Sequence, residues 1–179
     1  LVHAREAGFR ASTGELIANI DADTILPPQW IEKAERYFDR DPQVVAVSGP
    51  YIYHDLSWLI NVGVWFFYLI GYVGHLFHRL LGHSGTLLQG GNFVLRRSAL
   101  VQVGGYDLDY HFWGEDTAIA MKIGKVGKIV FTYRLPMYTS GRRLQEEGVL
   151  TMAGRYALNH VSTIFFRRPL SKEVRHIRK

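Results

Sequence analysis

Short apolar runs alternate with helix-patterned segments along the chain, and this alternation constrains its fold more than any other feature. The apolar runs predict strands over residues 15–20, 44–52, 92–95 and 128–132. The periodic segments predict helices over residues 2–12, 28–39, 97–103, 115–124 and 142–164. Strands that alternate with helices predict an α/β fold, with helices packed on a mixed, largely parallel sheet.

Composition narrows the classes of function. The chain contains no cysteine, which excludes disulfides, zinc–thiolate sites and thiol nucleophiles. The net charge of +5 favours anionic partners. The basic residues are not interleaved with aromatic ones as a nucleic-acid platform requires, so no nucleic-acid partner is expected. They concentrate after residue 166, where a membrane-surface contact and a solvated terminus are equal alternatives.

Two acidic residues, Asp21 and Asp23, follow the first predicted strand. They therefore lie at the carboxyl edge of the sheet, where open α/β folds bind ligands. Two carboxylates one residue apart can bind one divalent cation, or one can bind the cation while the other, Asp21, binds a sugar hydroxyl of the substrate. Mg²⁺ and Mn²⁺ prefer such oxygen donors. The alternative is a polar turn, which Asp also favours. The pattern alone leaves both alternatives open.

Three segments carry a resemblance to a known family: AREAG at 4–8, ASTGE at 11–15 and IDAD at 20–23. Together they resemble the family 2 glycosyltransferases of the GT-A fold. The resemblance implies that Asp23, with Asp21 beside it, binds a metal ion. Glu6 departs from the family pattern, which usually has Asn there. The chain begins inside a helical pattern, without an initiator Met or a leading strand, so we expect an N-terminally truncated GT-A domain.

A second set of segments resembles the acceptor side of the same family: GGN at 90–92, GGYD at 104–107 and GED at 114–116. The resemblance implies that Asp116 is the general base, with Glu115 beside it in the catalytic pair. It also implies that Gly90, Gly91 and Asn92 bind substrate, since glycine lets the backbone approach a sugar closely. The alternative is that the acids only stabilise a helix amino terminus.

The segment TSGRR at 139–143 resembles a third family element. Guanidinium groups match diphosphate geometry, so Arg142 and Arg143 are predicted to bind the diphosphate of the donor. The alternative is an ordinary helix start, in which Ser140 caps the helix and the arginines are solvated.

The resemblance implies an inverting, hexosyltransferase-type reaction. A nucleotide-sugar donor would pass its sugar to an acceptor hydroxyl on a sugar, a polysaccharide or a lipid-linked carrier, with Mg²⁺ or Mn²⁺ as cofactor. We expect a partial catalytic domain over residues 1–141, then a helix and basic tail over 142–179. Two alternatives stay open: a non-catalytic membrane-associated module, and a phosphohydrolase whose D-x-D motif is IDADTIL at 20–26.

Residues 56–83 form a long apolar insertion that is borderline for a membrane span. On a helical projection the polar side chains share one narrow stripe: Ser57, Asn61, Tyr68, Tyr72, His75 and Arg79. This pattern favours a helix in a membrane interface over a buried helix or a full span. The histidines at 75, 78 and 83 are predicted to be surface residues. We expect a cytoplasmic enzyme that associates with the cytoplasmic face of a membrane.

Overall fold

A computed structural model describes residues 1–80, 87–110 and 112–171. The first half contains α1 (Val2–Ala11), β1 (Leu16–Ile20), β2 (Thr24–Ile25), α2 (Trp30–Arg40), β3 (Val44–Ser48), β4 (Tyr51–Tyr53) and α3 (Trp58–Leu80). The second half contains β5 (Asn92–Arg96), α4 (Arg97–Gln102), α5 (Glu115–Ile123), β6 (Lys128–Phe131), β7 (Met137–Thr139), α6 (Arg142–Glu147) and α7 (Val149–Phe166).

The main sheet has four strands in the order β1-β5-β3-β6. Strand β5 is antiparallel to both neighbours, whereas β3 and β6 are parallel. The predicted α/β class with a mixed sheet is therefore confirmed. The expected dominance of parallel pairing needs correction: β1, β3 and β6 share one direction, but the reversed β5 separates β1 from β3. Strand direction depends on the path of the connecting chain, which an apolar run does not encode.

A second, smaller sheet has the order β2-β7-β4. The predicted strand over 44–52 is wrong in its second half, because the chain leaves the main sheet at Gly49 and Pro50. A Cβ at Gly49 would overlap the backbone of Leu135, so the two backbones are in direct contact at this break. The tail beyond residue 171 lies outside the described residues.

Helices cover both faces of the main sheet. Phe93 and Leu95 pack on one face with side chains of α1, α4 and α5. Val94 points to the other face, where it packs with α2. This alternation follows from the two-residue period of a strand, and it makes β5 the buried centre of the fold.

One predicted helix, over 142–164, is divided in two by the structure. Helix α6 ends before Gly148, whose φ of +86° is a conformation that favours glycine, and α7 starts directly after it. Helix α7 packs against α6 and α5, with Met152, Leu144 and Trp113 in a shared apolar cluster. The predicted division of the chain at residue 141 stays a prediction.

Helix α3 turns its polar stripe toward the protein. The side chain of Asn61 bonds both backbone groups of Tyr53, at 2.8 and 2.9 Å. Tyr68 is buried, and so is His75, which corrects the prediction that His75 is a surface residue. Asn61, Tyr68 and His75 of the predicted stripe therefore face the protein, whereas Ser57, at the start of the stripe, is exposed. His83 lies outside the described residues.

The opposite side of α3 exposes large apolar residues. Trp58 is 72% exposed and Ile70 is 73% exposed. The other exposed large apolar residues of this helix are Leu59, Val62, Trp65, Phe66, Val73, Leu76, Phe77 and Leu80. By length and composition the segment Trp58–His78 could cross a membrane, a test that core helices of soluble proteins also pass. Because so few of its side chains are buried, α3 is not a core helix of the described chain.

Candidate active site

The register between β1 and β5 places Asp21 beside Gly91. Ile20, the last residue of β1, pairs with Asn92, so the residues just beyond this pair face each other. Gly91 has a φ of +87°, and a Cβ there would overlap the carboxyl group of Asp21 and the hydroxyl of Tyr51. The glycine therefore lets a carboxylate lie directly against the backbone.

The neighbouring Gly90 contacts the second acidic motif. Its backbone N–H donates to Oδ2 of Asp116 at 3.2 Å. A Cβ at Gly90 would lie only 3.2 Å from Oε1 of Glu115. The two consecutive glycines thus hold carboxylates from the end of β1 and from the start of α5. The structure brings together Asp21, Glu115 and Asp116, as the sequence predicted. The glycines were predicted to lie close to a sugar, whereas in the structure they lie close to these carboxyl groups.

Arg5 of α1 links the same two motifs. Its guanidinium donates to Oε2 of Glu115 at 3.0 Å and lies 3.5 Å from Oδ1 of Asp21. The Arg5 side chain is only 8% exposed and stacks over the ring of Phe93. The buried guanidinium donates to carboxyl groups of both motifs, and loss of either acceptor would leave a buried charged donor unsatisfied, so Arg5 stabilises the relative position of the motifs.

Burial dominates the electrostatics of these acids. It raises the pKa of Glu115 to about 8, although the positive charge of Arg5 opposes the shift. Burial also raises the pKa of Asp21, against the opposing effects of Arg5 and the Tyr51 hydroxyl. Glu115 is 5% exposed and accepts a hydrogen bond from Arg5, and its part in the predicted catalytic pair stays a prediction.

Tyr51 was missed by the sequence analysis. Its hydroxyl lies 2.7 Å from the carbonyl of Gly90 and 3.1 Å from Oδ2 of Asp21, so a single hydrogen is shared between two acceptors. Burial raises the pKa of Tyr51 well above its ordinary value. The backbone N–H of Tyr51 donates to the hydroxyl of Tyr68 on α3. No local signal distinguishes this tyrosine from the others in the sequence.

A cleft of about 330 Å³ opens beside Asp21. The side chains that line it include Asp23, Tyr53, Phe112, Arg142, Arg143 and Tyr156. Arg142 lies 3.5 Å from Oδ2 of Asp23, and both side chains are about half exposed. Arg143 lies over the ring of Phe112 at 4.6 Å, and one of its terminal nitrogens is buried without a hydrogen-bond acceptor in the described chain. An anion in the cleft would supply the missing acceptor.

Asp55 stabilises the start of α6, whose first two residues are Arg142 and Arg143. Its carboxylate accepts from the Ser140 hydroxyl and from the backbone N–H of Gly141, both at 2.6 Å. Although burial opposes the shift, these two bonds lower the pKa of Asp55. The Ser140 hydroxyl also accepts from the N–H of Arg142 at 3.3 Å, although Gly141 and not Ser140 occupies the N-cap position of α6. Asp55 was missed because it lies far from these residues in sequence.

Asn92 needs correction as a substrate-binding residue. It is fully buried, and its amide N–H group donates to the carbonyls of Gly49, Leu135 and Pro50. Its amide oxygen accepts from the indole N–H of Trp30. These bonds use all of its polar atoms, so the side chain stabilises the junction between the two sheets.

The acids at the cleft fit a divalent cation that shares its coordination with a ligand. Asp21 and Asp23 offer hard oxygen donors, and a cation would offset the cost of burying the Asp21 carboxylate. Among the described residues there is no group of three or more His, Asp or Glu side chains placed to hold a metal ion. Phosphate oxygens would therefore complete the coordination, as is usual for Mg²⁺ and Mn²⁺.

The sequence of this chain is similar to sequences of known proteins. The sequence profile of the family described as glycosyl transferase family group 2 matches residues 16–172. A glucosyl-dolichyl phosphate glucuronosyltransferase from Haloferax volcanii is 25% identical over 131 residues, which cover 68% of this chain and 41% of that protein.

A solved structure gives the same fold. A mannosyltransferase from Pyrobaculum calidifontis, in complex with GDP-Man and Mn²⁺, is similar with a TM-score of 0.64 and 18% identity. The similarity covers 96% of this chain and 45% of that one. It confirms the predicted GT-A-like fold class. The chain spans less than half the length of both proteins.

Proposed function

The chain belongs to glycosyl transferase family group 2, and from this membership we propose that the complete protein transfers a hexosyl unit from a nucleoside diphosphate sugar to an acceptor hydroxyl, with inversion. The observation that carries the proposal is the turn at Gly90 and Gly91. It contacts Asp116 on one side and Asp21 on the other, and Asp21 lines the cleft that contains two arginines.

The donor diphosphate is proposed to lie between Asp23 and the arginines of α6. Arg143 offers an unpaired buried N–H group, and Arg142 lies at the same wall of the cleft. Asp23 and Asp21 would hold Mg²⁺ or Mn²⁺, which when bound neutralises charge on the leaving diphosphate. The Pyrobaculum structure contains GDP-Man and Mn²⁺, which supports a nucleotide sugar and a cation of this class.

Asp116 is the proposed general base. As the acceptor oxygen bonds to the anomeric carbon, the hydroxyl proton moves to the Asp116 carboxylate. The bond between the anomeric carbon and the diphosphate breaks, and its electron pair leaves with the nucleoside diphosphate. Attack and departure on opposite sides of that carbon invert its configuration. The amide of Gly90 holds the carboxylate in place through Oδ2.

A lipid-linked acceptor is the proposed substrate class. The Haloferax relative is named for a glucosyl-dolichyl phosphate substrate. The outward face of α3 exposes a wide apolar surface with Trp58 and Trp65, the composition of a helix in a membrane interface. We propose that α3 lies in the cytoplasmic face of a membrane, so that the active site meets acceptors held in the bilayer.

The test uses the complete protein with Mn²⁺ and vesicles that contain glucosyl-polyprenyl phosphate. GDP-mannose, UDP-glucose and UDP-glucuronic acid are supplied in turn, and release of nucleoside diphosphate is measured. We expect Asp116→Asn to lose roughly 100- to 10,000-fold in kcat, and Asp23→Ala to lose a comparable factor. Asp39→Asn, an exposed carboxylate on α2, is the matched control and should match wild type.

Three results would contradict parts of this proposal. Undiminished turnover by Asp116→Asn would exclude it as the base. Undiminished turnover by Asp23→Ala would exclude the cation site. A wild-type protein that neither binds nor consumes any donor would favour the non-catalytic module, and phosphate release from a simple phosphomonoester would favour a phosphohydrolase.

A further inference from the structure

Helix α7 contacts the start of α5 at two points. The fully buried Thr163 packs against Gly114, where a Cβ would overlap the threonine hydroxyl. One helical turn earlier, Nδ1 of His160 lies 2.9 Å from Oγ1 of Thr117. Gly114 and Thr117 flank the two acids of the GED motif. Helix α7 therefore packs against both residues that flank the acidic pair.

A short hydrogen-bonded chain connects His160 to the base. Oγ1 of Thr117 lies 3.4 Å from Oδ1 of Asp116, and the Thr117 N–H donates to the same oxygen at 2.7 Å. The Gly90 N–H donates to the other oxygen, Oδ2. A threonine hydroxyl carries one hydrogen, so it donates to Asp116 only if His160 presents its Nδ1–H.

We propose that His160 is a positioning residue for the base, acting through Thr117. Its Nδ1–H donates to the Thr117 hydroxyl, which turns that hydroxyl hydrogen toward Oδ1 of Asp116. The carboxylate plane is then held at Oδ1, and a lone pair of Oδ2 stays available for the acceptor's proton. This inference rests on the proposed function, because it requires that Asp116 is the base.

The surroundings of His160 favour the neutral ring that this arrangement uses. Burial lowers the pKa of His160, and the nearby His78 acts in the same direction, whereas Asp116 opposes both. Neither His160 nor Asp116 is among the residues that line the cleft, and none of the cleft-lining side chains bonds His160 in the described chain. Loss of the imidazole is therefore expected to affect the reaction step and not donor binding.

The test measures kcat, the donor KM and the melting temperature of five variants in the assay above: His160→Ala, His160→Asn, Thr117→Val, Thr117→Ser and the His160→Ala/Thr117→Val double variant. We expect kcat to fall roughly 10-fold in His160→Ala and in Thr117→Val, by analogy with the loss when a residue that orients a metal ligand is removed. The donor KM should be unchanged, and the double variant should be no slower than either single variant.

Conservative changes separate positioning from simple packing. Asn at 160 can place an N–H where Nδ1 lies, and Ser at 117 keeps the hydroxyl, so both should restore most of the lost rate. Ser162→Ala is the matched control: it removes another buried hydrogen bond of α7, to the carbonyl of Arg168, and should leave kcat unchanged.

Two outcomes overturn the inference while the proposed function stands. In the first, His160→Ala turns over at the wild-type rate. In the second, the losses of the two single variants multiply in the double variant, which means that His160 does not act through Thr117. If the wild-type protein releases no nucleoside diphosphate from any donor, the proposed function itself fails and the inference falls with it.

Discussion

Replacing Gly91 by alanine tests whether the turn at Gly90 and Gly91 assembles the site. Gly91 has a φ of +87° and Gly104 a φ of +78°, so an alanine at either position bears a similar left-handed strain. At Gly104 a Cβ meets nothing within 4 Å, whereas at Gly91 it overlaps the Asp21 carboxyl and the Tyr51 hydroxyl. Gly104→Ala is therefore a control that isolates the steric term.

The expected magnitudes follow from these two terms. Left-handed strain costs about 1–2 kcal/mol in either variant. Overpacking adds about 1–3 kcal/mol at Gly91, so Gly91→Ala should lose about 2–5 kcal/mol in all. Urea denaturation of the two variants measures the difference, provided that their m-values agree. Because the new methyl displaces Asp21, Gly91→Ala should also weaken Mn²⁺-dependent donor binding, and Gly104→Ala should not.

The opposite pattern would refute this reasoning. If Gly91→Ala is no less stable than Gly104→Ala and binds donor with Mn²⁺ as tightly as wild type, then Asp21 does not lie against the Gly91 backbone. The link between the two acidic motifs would then have to come from Arg5 alone.

Three further predictions address other parts of the molecule. The pKa of Glu115 is raised from its ordinary 4.5 to about 8, so the folded protein keeps a proton that the unfolded chain has released. Its contribution to stability is present below about pH 4.5 and is lost as the pH rises to about 8. The melting temperature of Glu115→Gln should therefore decline less steeply across this window than that of wild type. Equal slopes of melting temperature against pH in the two proteins would contradict the raised pKa. Arg143→Lys loses the planar fork that stacks on Phe112, so calorimetry should show roughly tenfold weaker binding of GDP or UDP, with nucleoside binding unchanged. Ile70→Glu should reduce flotation of the complete protein with vesicles, whereas Ile31→Glu on α2, also exposed, should not; equal flotation would contradict membrane contact through α3.

Local signals predicted the main elements and the acidic motifs. The strand before Asp21 was predicted with an error of one residue at its start. It could be predicted because the residues that bound it, a glycine and two acids, are adjacent to it in sequence. The helix that starts at Glu115 was predicted to within one residue at its end, since Gly114 and Gly124 flank it. These predictions used only information that lies within a few residues of the element itself.

Long-range contacts were not accessible in the same way. Strands β2 and β7 are two and three residues long, and they exist because they pair across the fold. Tyr51 and Asp55 act on residues distant in sequence, so no spacing marks them. His160 was predicted only as a residue of the helix over 142–164, and its contact with Thr117 depends on how α7 crosses α5.

The burial of polar residues was predicted wrongly where hydrogen bonds to distant parts of the chain hold them inside the protein. His75 was predicted to lie at the surface and Asn92 to bind substrate, and residue type gives no warning of burial here, since Asn is mostly exposed and His is intermediate in proteins. In the structure Asn92 bonds three carbonyls, and His75 lies within the stripe of α3 that faces the protein. Hydrogen bonds that offset the cost of burial are a property of the assembled fold and not of the local pattern.

Helix α3 turns polar residues toward the protein and large apolar residues outward, and this arrangement constrains how its sequence can vary. On its outward side one large apolar residue can replace another at little cost wherever no described neighbour packs against it, as at Ile70, whereas Trp65 contacts the ring of Tyr133. On its inward side Asn61 and Tyr68 each satisfy specific backbone atoms, so few substitutions preserve those bonds. Orthologous chains should therefore show drifting hydrocarbon positions outside and fixed amide and phenol positions inside, the reverse of the pattern that a water-facing helix shows.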